Sequence, residues 1–276
     1  MSWAMGESVA EFREAAGDFL RSRPVEHNLL LTIMENVSVR APGYGGTPLF
    51  GWWREQDGQV GGAFVQTPPR PVVAALSAGE ATESLARALA GTRISGFNAE
   101  PRTAEAFAAA WGRRTGVGAQ VVKRTRLYRL GRLVPPSPAP PGGERPARPD
   151  DRDLLLAWHE AFYRDVGEPS GDPAPAVDDR IGHGRLSLWE ADGVPVSMAG
   201  STRPVAGVVR IAPVYTPDAL RGRGYGGAVT AAISRQALER GYEVVLFTDL
   251  GNPTSNALYQ RLGYRPVHDR VVVAFG

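Results

Sequence analysis

Cysteine is absent from this chain of 276 residues. Its absence removes disulfides, thiolate metal sites and cysteine nucleophiles. Lysine is almost absent too: Lys123 stands alone, so nearly all of the 31 basic residues are arginine. With 33 Gly and 23 Pro alongside, this has the look of GC-rich coding bias, and arginine abundance by itself carries little meaning. An excess of one charge is also missing. The 31 basic and 29 acidic residues leave a net charge of +2, which gives no reason to expect a nucleic-acid partner. No stretch approaches the roughly 20 apolar residues of a membrane span. The opening "MSWAMGESVAEFREAAGDFLRSRP" has charges throughout its apolar pattern, so it predicts an amphipathic helix and not a signal peptide. These absences together predict a soluble, cytoplasmic protein with no membrane partner. No His/Asp/Glu spacing suggests a metal site, and no G-x-S-x-G elbow suggests a serine hydrolase.

What is present bounds the architecture. A chain of this length with 43% hydrophobic residues holds one large or two modest domains. "LGRLVPPSPAPPGG", residues 130–143, is dense in proline and reads as a semi-rigid linker. It predicts a first domain over 1–131, a linker over 132–142 and a second domain over 143–276. In the second domain a short strand near Arg145 to Arg148 precedes a helix carrying Leu154, Leu155, Trp158 and Phe162 on one face. Strands follow, with "ADG" at 191–193 as a hairpin signal. Then come the strand "GVVRIAPVYT", the helix "GAVTAAISRQALERG" and the buried strand "YEVVLFTDL". The helix "NPTSNALYQRLG" and one or two closing strands in "RPVHDRVVVAF" complete the order of a mixed α/β sheet. The first half echoes this order through "QVGGAFVQT", "AGEATESLARALAG", "RISGF" and "TAEAFAAAWGRRTG", as a diverged internal duplication. Where its helix begins, Glu80 and Glu83 stand instead of a glycine loop.

The most unusual stretch is "RGRGYGG", residues 221–227. An arginine–glycine RNA tract would be repeated and disordered; this is one copy between an apolar strand and an amphipathic helix. Gly222, Gly224 and Gly227 match G-x-G-x-x-G literally. The glycines of a dinucleotide fold follow the first strand almost directly, however, and here "TPDALR" intervenes. The third reading is a pyrophosphate loop of backbone amides at a helix N-terminus, where the glycines permit close approach and the helix dipole adds attraction.

The run "RGRGYG" resembles the Arg/Gln-x-x-Gly-x-Gly/Ala signature of the GCN5-related N-acetyltransferases, with Arg221, Gly224 and Gly226 on the defining positions. The resemblance extends through "FTDLGNPTSNALYQRLGYRPV" and covers nearly all of residues 143–276. The first half resembles the degenerate N-terminal half of tandem members. The resemblance implies an α/β fold of two such domains, each a mixed, mostly antiparallel twisted sheet flanked by helices. It implies acetyl-CoA as cosubstrate, a small-molecule or peptide amine as acceptor, and cofactor contacts in the second domain only.

Residue by residue, the resemblance implies pyrophosphate contacts from the backbone of Arg221, Gly222, Arg223, Gly224, Tyr225, Gly226 and Gly227. Val214, Tyr215 and Thr216 would pair with the pantetheine arm like an added strand. Asn252 and Ser255 would touch that arm, although Asn252 also reads as a plain helix cap. Tyr259 would protonate the departing thiolate, or else is a packed helix tyrosine. No general base is evident; Glu190, Asp249, His159 and His183 are the candidates, directly or through water. Trp52, Trp53 and Trp111 would line an acceptor cleft or, more simply, fill the core. The missing base keeps a non-catalytic acyl-CoA-binding or regulatory protein as the alternative function.

Overall fold

The structure, a computed structural model, describes residues 1–39, 46–167 and 171–276. The elements of the first half are β1 (Ser2–Gly6), α1 (Val9–Ser22), α2 (Asn28–Val39), β2 (Leu49–Arg54), β3 (Val60–Gln66), β4 (Val72–Ala75), α3 (Glu80–Ala88), β5 (Gly96–Ala99), α4 (Pro101–Thr115) and β6 (Ala119–Leu130). Those of the second are β7 (Gly143–Pro146), α5 (Arg152–Asp165), α6 (Ala174–Gly182), β8 (Leu186–Ala191), β9 (Val194–Ser201), β10 (Val208–Tyr215), α7 (Tyr225–Glu239), β11 (Glu243–Asp249), α8 (Pro253–Arg261) and β12 (Tyr264–Phe275). The chain forms two compact units that are not consecutive stretches of sequence. One comprises Met1–Leu127, Phe247–Asn252 and Pro266–Gly276; the other Tyr128–Leu246 and Pro253–Arg265.

In the first unit β1 to β5 and the end of β12 form a sheet that is antiparallel except for the parallel pair β4–β5. Its core gathers Phe64, Leu85, Phe97, Phe107 and Trp111, with the rings of Phe97 and Phe107 stacked 3.9 Å apart. The opening residues depart from the expected helix. Residues 2–6 are a strand, because Trp3 pairs opposite Trp53 on β2 and packs against Trp53 and Phe64. The helix starts only at Val9, where the Ser8 hydroxyl accepts from the Glu11 amide at 3.2 Å, an N-cap. Strand pairing with a distant partner overrides the local helical pattern.

In the second unit β7, β8, β9 and β10 are antiparallel neighbours and β10–β11 is parallel. The β8–β9 hairpin turns on Asp192 and Gly193, both left-handed at φ 51° and 76°, the conformation a two-residue turn needs. Two cores flank the sheet. Val209, Ile211, Val229, Ile233, Tyr259 and Tyr264 belong to one, with α7 and α8. Leu155, Trp158, Val177, Leu188 and Met198 belong to the other, with α5 and α6. The mixed, mostly antiparallel α/β architecture is the one the sequence predicts.

Candidate active site

The site is built where β10 ends and α7 begins. β10 pairs with β11 only from Val208↔Glu243 to Arg210↔Val245, although β10 runs on to Tyr215. Its pairing with β9 shifts register between Ile211 and Val214, a bulge that bends the strand away from its parallel neighbour. Val214, Tyr215 and Thr216 thus follow the point where the two strands part. The Ser197 hydroxyl donates to the Tyr215 carbonyl at 3.0 Å and shares a 2.8 Å hydrogen bond with the Thr216 hydroxyl.

Residues 221–227 then form a tight turn into α7. Gly222 and Gly224 are left-handed, at φ 77° and 86°, where a side chain is strained. Gly226 and Gly227 leave little room for a side chain. A β-carbon on Gly226 would lie 3.2 Å from the Thr216 hydroxyl oxygen, and one on Gly227 3.0 Å from Leu258 on α8. Among the described residues, no protein acceptor takes the amides of the six residues from Gly222 to Gly227. No acidic side chain lies in the first turn of α7. Amides without a protein acceptor at a helix N-terminus attract an anion.

The two arginines of the run serve the turn itself. The Arg221 guanidinium pairs with Asp165 of α5 at 2.5 Å and with Asp218 at 2.7 Å, and its Nε donates to the Thr216 carbonyl at 3.0 Å. It also lies 5.9 Å from the Tyr215 ring centroid. It thereby ties the end of β10 to the start of the loop. Arg223 donates to the Ala219 carbonyl at 3.3 Å. Asp165 and Ser197 carry no local sequence signal, because they meet the loop from 56 residues upstream and from the neighbouring strand. Asp218, three residues before Arg221, is a spacing that sequence could have flagged.

Tyr259 lies buried on α8 in the same core as Tyr225 and Val214, with its ring edge-on to Tyr264 at 6.0 Å. Burial pushes its phenol up to about 12, so it holds its proton at neutral pH. Tyr128 and Gln260 steady the same helix: Tyr128 donates to the Asn256 side chain at 2.9 Å and accepts from Gln260 at 3.2 Å. Ser255 is half-buried on α8. Asn252 belongs to the first unit, where its amide donates to the Asp249 carbonyl at 3.0 Å.

The base candidates separate. Glu190 is held by Arg145 at 2.5 Å. Asp249 accepts from the Gly251 amide at 2.7 Å. His183 stands on the surface, its Nδ1 2.7 Å from the Asp179 carbonyl. His159 is buried on α5 with Nε2 unpartnered, and burial lowers its pKa to about 4. An imidazole that acidic is a poor acceptor for the proton of an ammonium near 10.4. Of the tryptophans, Trp53 and Trp111 are core. Trp52 lines a shallow cleft of about 420 Å³ in the first unit, with Glu11, Glu14, Ala15 and Arg54. Among the described residues no group of three or more carboxylates and histidines could hold a metal, and no helix is long and apolar enough to cross a membrane.

Residues 198–273 match the family model described as FR47-like protein. No curated protein matches the chain. Solved structures match it in fold. A GCN5-related N-acetyltransferase from Sphaerobacter thermophilus aligns over 98% of this chain and 94% of its own, with TM-score 0.67 and 16% identity. An acetyltransferase of the GNAT family from Colwellia psychrerythraea covers 100% of this chain and 99% of its own, with TM-score 0.63 and 10% identity. A tandem GNAT protein from the clavulanic acid biosynthesis pathway covers 100% and 98%, with TM-score 0.59 and 12% identity.

Proposed function

We propose, from the GCN5-related N-acetyltransferase fold of the chain and its FR47-like segment, that the protein transfers an acetyl group from acetyl-CoA to a primary amine by direct attack. The observation that carries this reading is the run of unpartnered amides from Gly222 to Gly227 beside a strand that has parted from its neighbour. The amides suit a pyrophosphate. The parted strand suits the amide-bearing arm that follows it. Strand alternation supports this pairing: with the Tyr215 carbonyl engaged by Ser197 of β9, the amide and carbonyl of Val214 point to the opposite edge of β10. Thr216, whose carbonyl accepts from Arg221, serves mainly to shape the turn. Asn252 and Ser255 are proposed as contacts farther along the arm.

The chemistry is positioning plus polarisation of the thioester carbonyl. The neutral amine attacks the carbonyl carbon, the new C–N bond forms, the C–S bond breaks, the thiolate takes a proton from Tyr259, and the proton shed by the nitrogen passes through solvent to restore the Tyr259 phenol. A donor near 12 is weaker than a thiol near 8.5, so burial of the thiolate must raise its own proton affinity for complete transfer. The N-terminal half, residues 1–131, is a pseudo-domain without cofactor chemistry, which belongs to the C-terminal half, residues 143–276. Thioester-dependent acetylation of a panel of amines, followed by mass spectrometry, tests the reading. An acetylated amine is the expected result. CoA binding without turnover on any amine would establish the alternative, a non-catalytic acyl-CoA-binding protein. No CoA binding would end both.

A further inference from the structure

The proline-rich stretch between β6 and β7 is packed, not suspended. Its start is pinned by the Val134 amide donating to the Leu262 carbonyl at 3.0 Å, and its end by the Trp189 indole donating to the Pro141 carbonyl at 2.9 Å. Between these pins only Pro136 and Pro140 are half-buried; the other residues are exposed. Those two prolines meet the phosphate loop. Pro140 lies 3.6 Å from where a β-carbon on Gly224 would stand, and Pro136 3.6 Å from one on Gly227. Gly224 and Gly227, three residues apart, share one side of the helix start. Gly226 points to another side, toward Thr216 at the end of β10. An anion on the loop amides therefore has β10 on one flank and the strap on the other.

We propose that this strap is part of the cofactor site and holds the nucleoside end of the acyl-CoA. This rests on the acyl-CoA reading above, in which the pantetheine arm takes the β10 flank and leaves the strap flank to the adenosine. The surface chemistry fits. Residues 133–143 carry no charged side chain, and five of the eight from Val134 to Pro141 are proline. Such a chain offers compact apolar rings and carbonyl acceptors with few amide donors, a face for a purine and not for a phosphate. The strap is also pre-ordered by its two pins, so little entropy is lost when a ring settles on it.

Calorimetry of CoA and of 4′-phosphopantetheine, which lacks the adenosine with its 3′-phosphate and keeps one phosphate of the pyrophosphate, tests this on the full chain. Replacing both rings, Pro136→Ala with Pro140→Ala, is expected to weaken CoA about 10-fold and leave 4′-phosphopantetheine unchanged. Trp189→Phe, which frees the far pin and also trims a buried indole, is expected to weaken CoA about 3-fold with the same selectivity. Equal losses for both compounds would mean that the strap merely props the loop, and no loss for either would mean that it is outside the site; each overturns the proposal. Wild-type protein that binds neither compound would instead remove the acyl-CoA reading, and the strap assignment with it.

Discussion

The two units carry the same local plan and differ at three corresponding places. Each has a parallel strand pair followed by helices, β4–α3–β5–α4 in one and β10–α7–β11–α8 in the other. Both first helices are capped by a left-handed glycine, Gly79 and Gly224. In the first unit Glu80 and Glu83 occupy the opening turn of α3, with Glu83 paired to Arg113 at 2.5 Å. In the second no acid is there. Between β4 and β5 the Arg270 guanidinium donates to the Ala74 carbonyl at 3.0 Å, and to the carbonyl and side chain of Asn98 at 2.7 and 2.8 Å. That edge is filled by a side chain, while β10 beyond Arg210 is not paired to β11. α4 and α8 both begin on proline, and the seventh residue is Phe107 in one and Tyr259 in the other. The two units thus share a local plan and differ in the charge at the helix start, the pairing of the strand edge and the ring on the second helix.

The largest expected effect is at the capping glycines. Gly224→Val forces a branched side chain into φ 86° and should weaken CoA by about 100-fold or more, read by calorimetry. Gly79→Val, at φ 135°, should lower stability by about 2 kcal/mol and leave CoA affinity alone. Tyr259→Phe gives the second unit the residue of the first and should lower kcat about 100-fold with little change in KM. With its phenol near 12, wild-type Tyr259 should contribute no loss of rate from ionisation below about pH 11. Arg270→Met removes the filled edge and leaves the Ala74 and Asn98 carbonyls without this donor. It should lower stability by about 3 kcal/mol in urea melts without altering acetyl transfer. Arg223→Glu places an acid immediately before the capping Gly224 and should weaken CoA about 5-fold, an effect that fades with salt.

A further effect, on stability alone, is one of pH. His159 is neutral in the fold and its pKa of about 4 lies below the ordinary 6.5. The unfolded chain therefore takes up a proton first as pH falls. The stability that neutral His159 allows is complete above about pH 6.5 and lost toward pH 4, about 3 kcal/mol in total. His159→Leu should flatten that part of the pH–stability curve in denaturant titrations.

Much of the second unit was legible in sequence because its signals are local. The glycine run, the hairpin at Asp192–Gly193, the proline at the start of α8 and the apolar spacing of α7 each act within a few residues. What escaped is non-local. β1 is a strand only because β2, some 50 residues on, pairs with it. α2 has no clear polar face and gives no helical stripe to read, and α6 is short and opens on Pro175 near its start. Arg270 reaches partners 172 and 196 residues away, so nothing around it announces a buried charge. The strap reads as a linker by composition; only its contacts with Gly224 and Gly227 place it against the loop. The Arg221 side chain is tied to Asp165 and Asp218, partners that the motif does not contain.

The stoichiometry of CoA binding to the full chain tests the asymmetry most directly. One site per chain, abolished by Gly224→Val and untouched by Gly79→Val, is the predicted result. Two sites, or one that survives Gly224→Val, would contradict the assignment of cofactor chemistry to the loop at Gly224 alone.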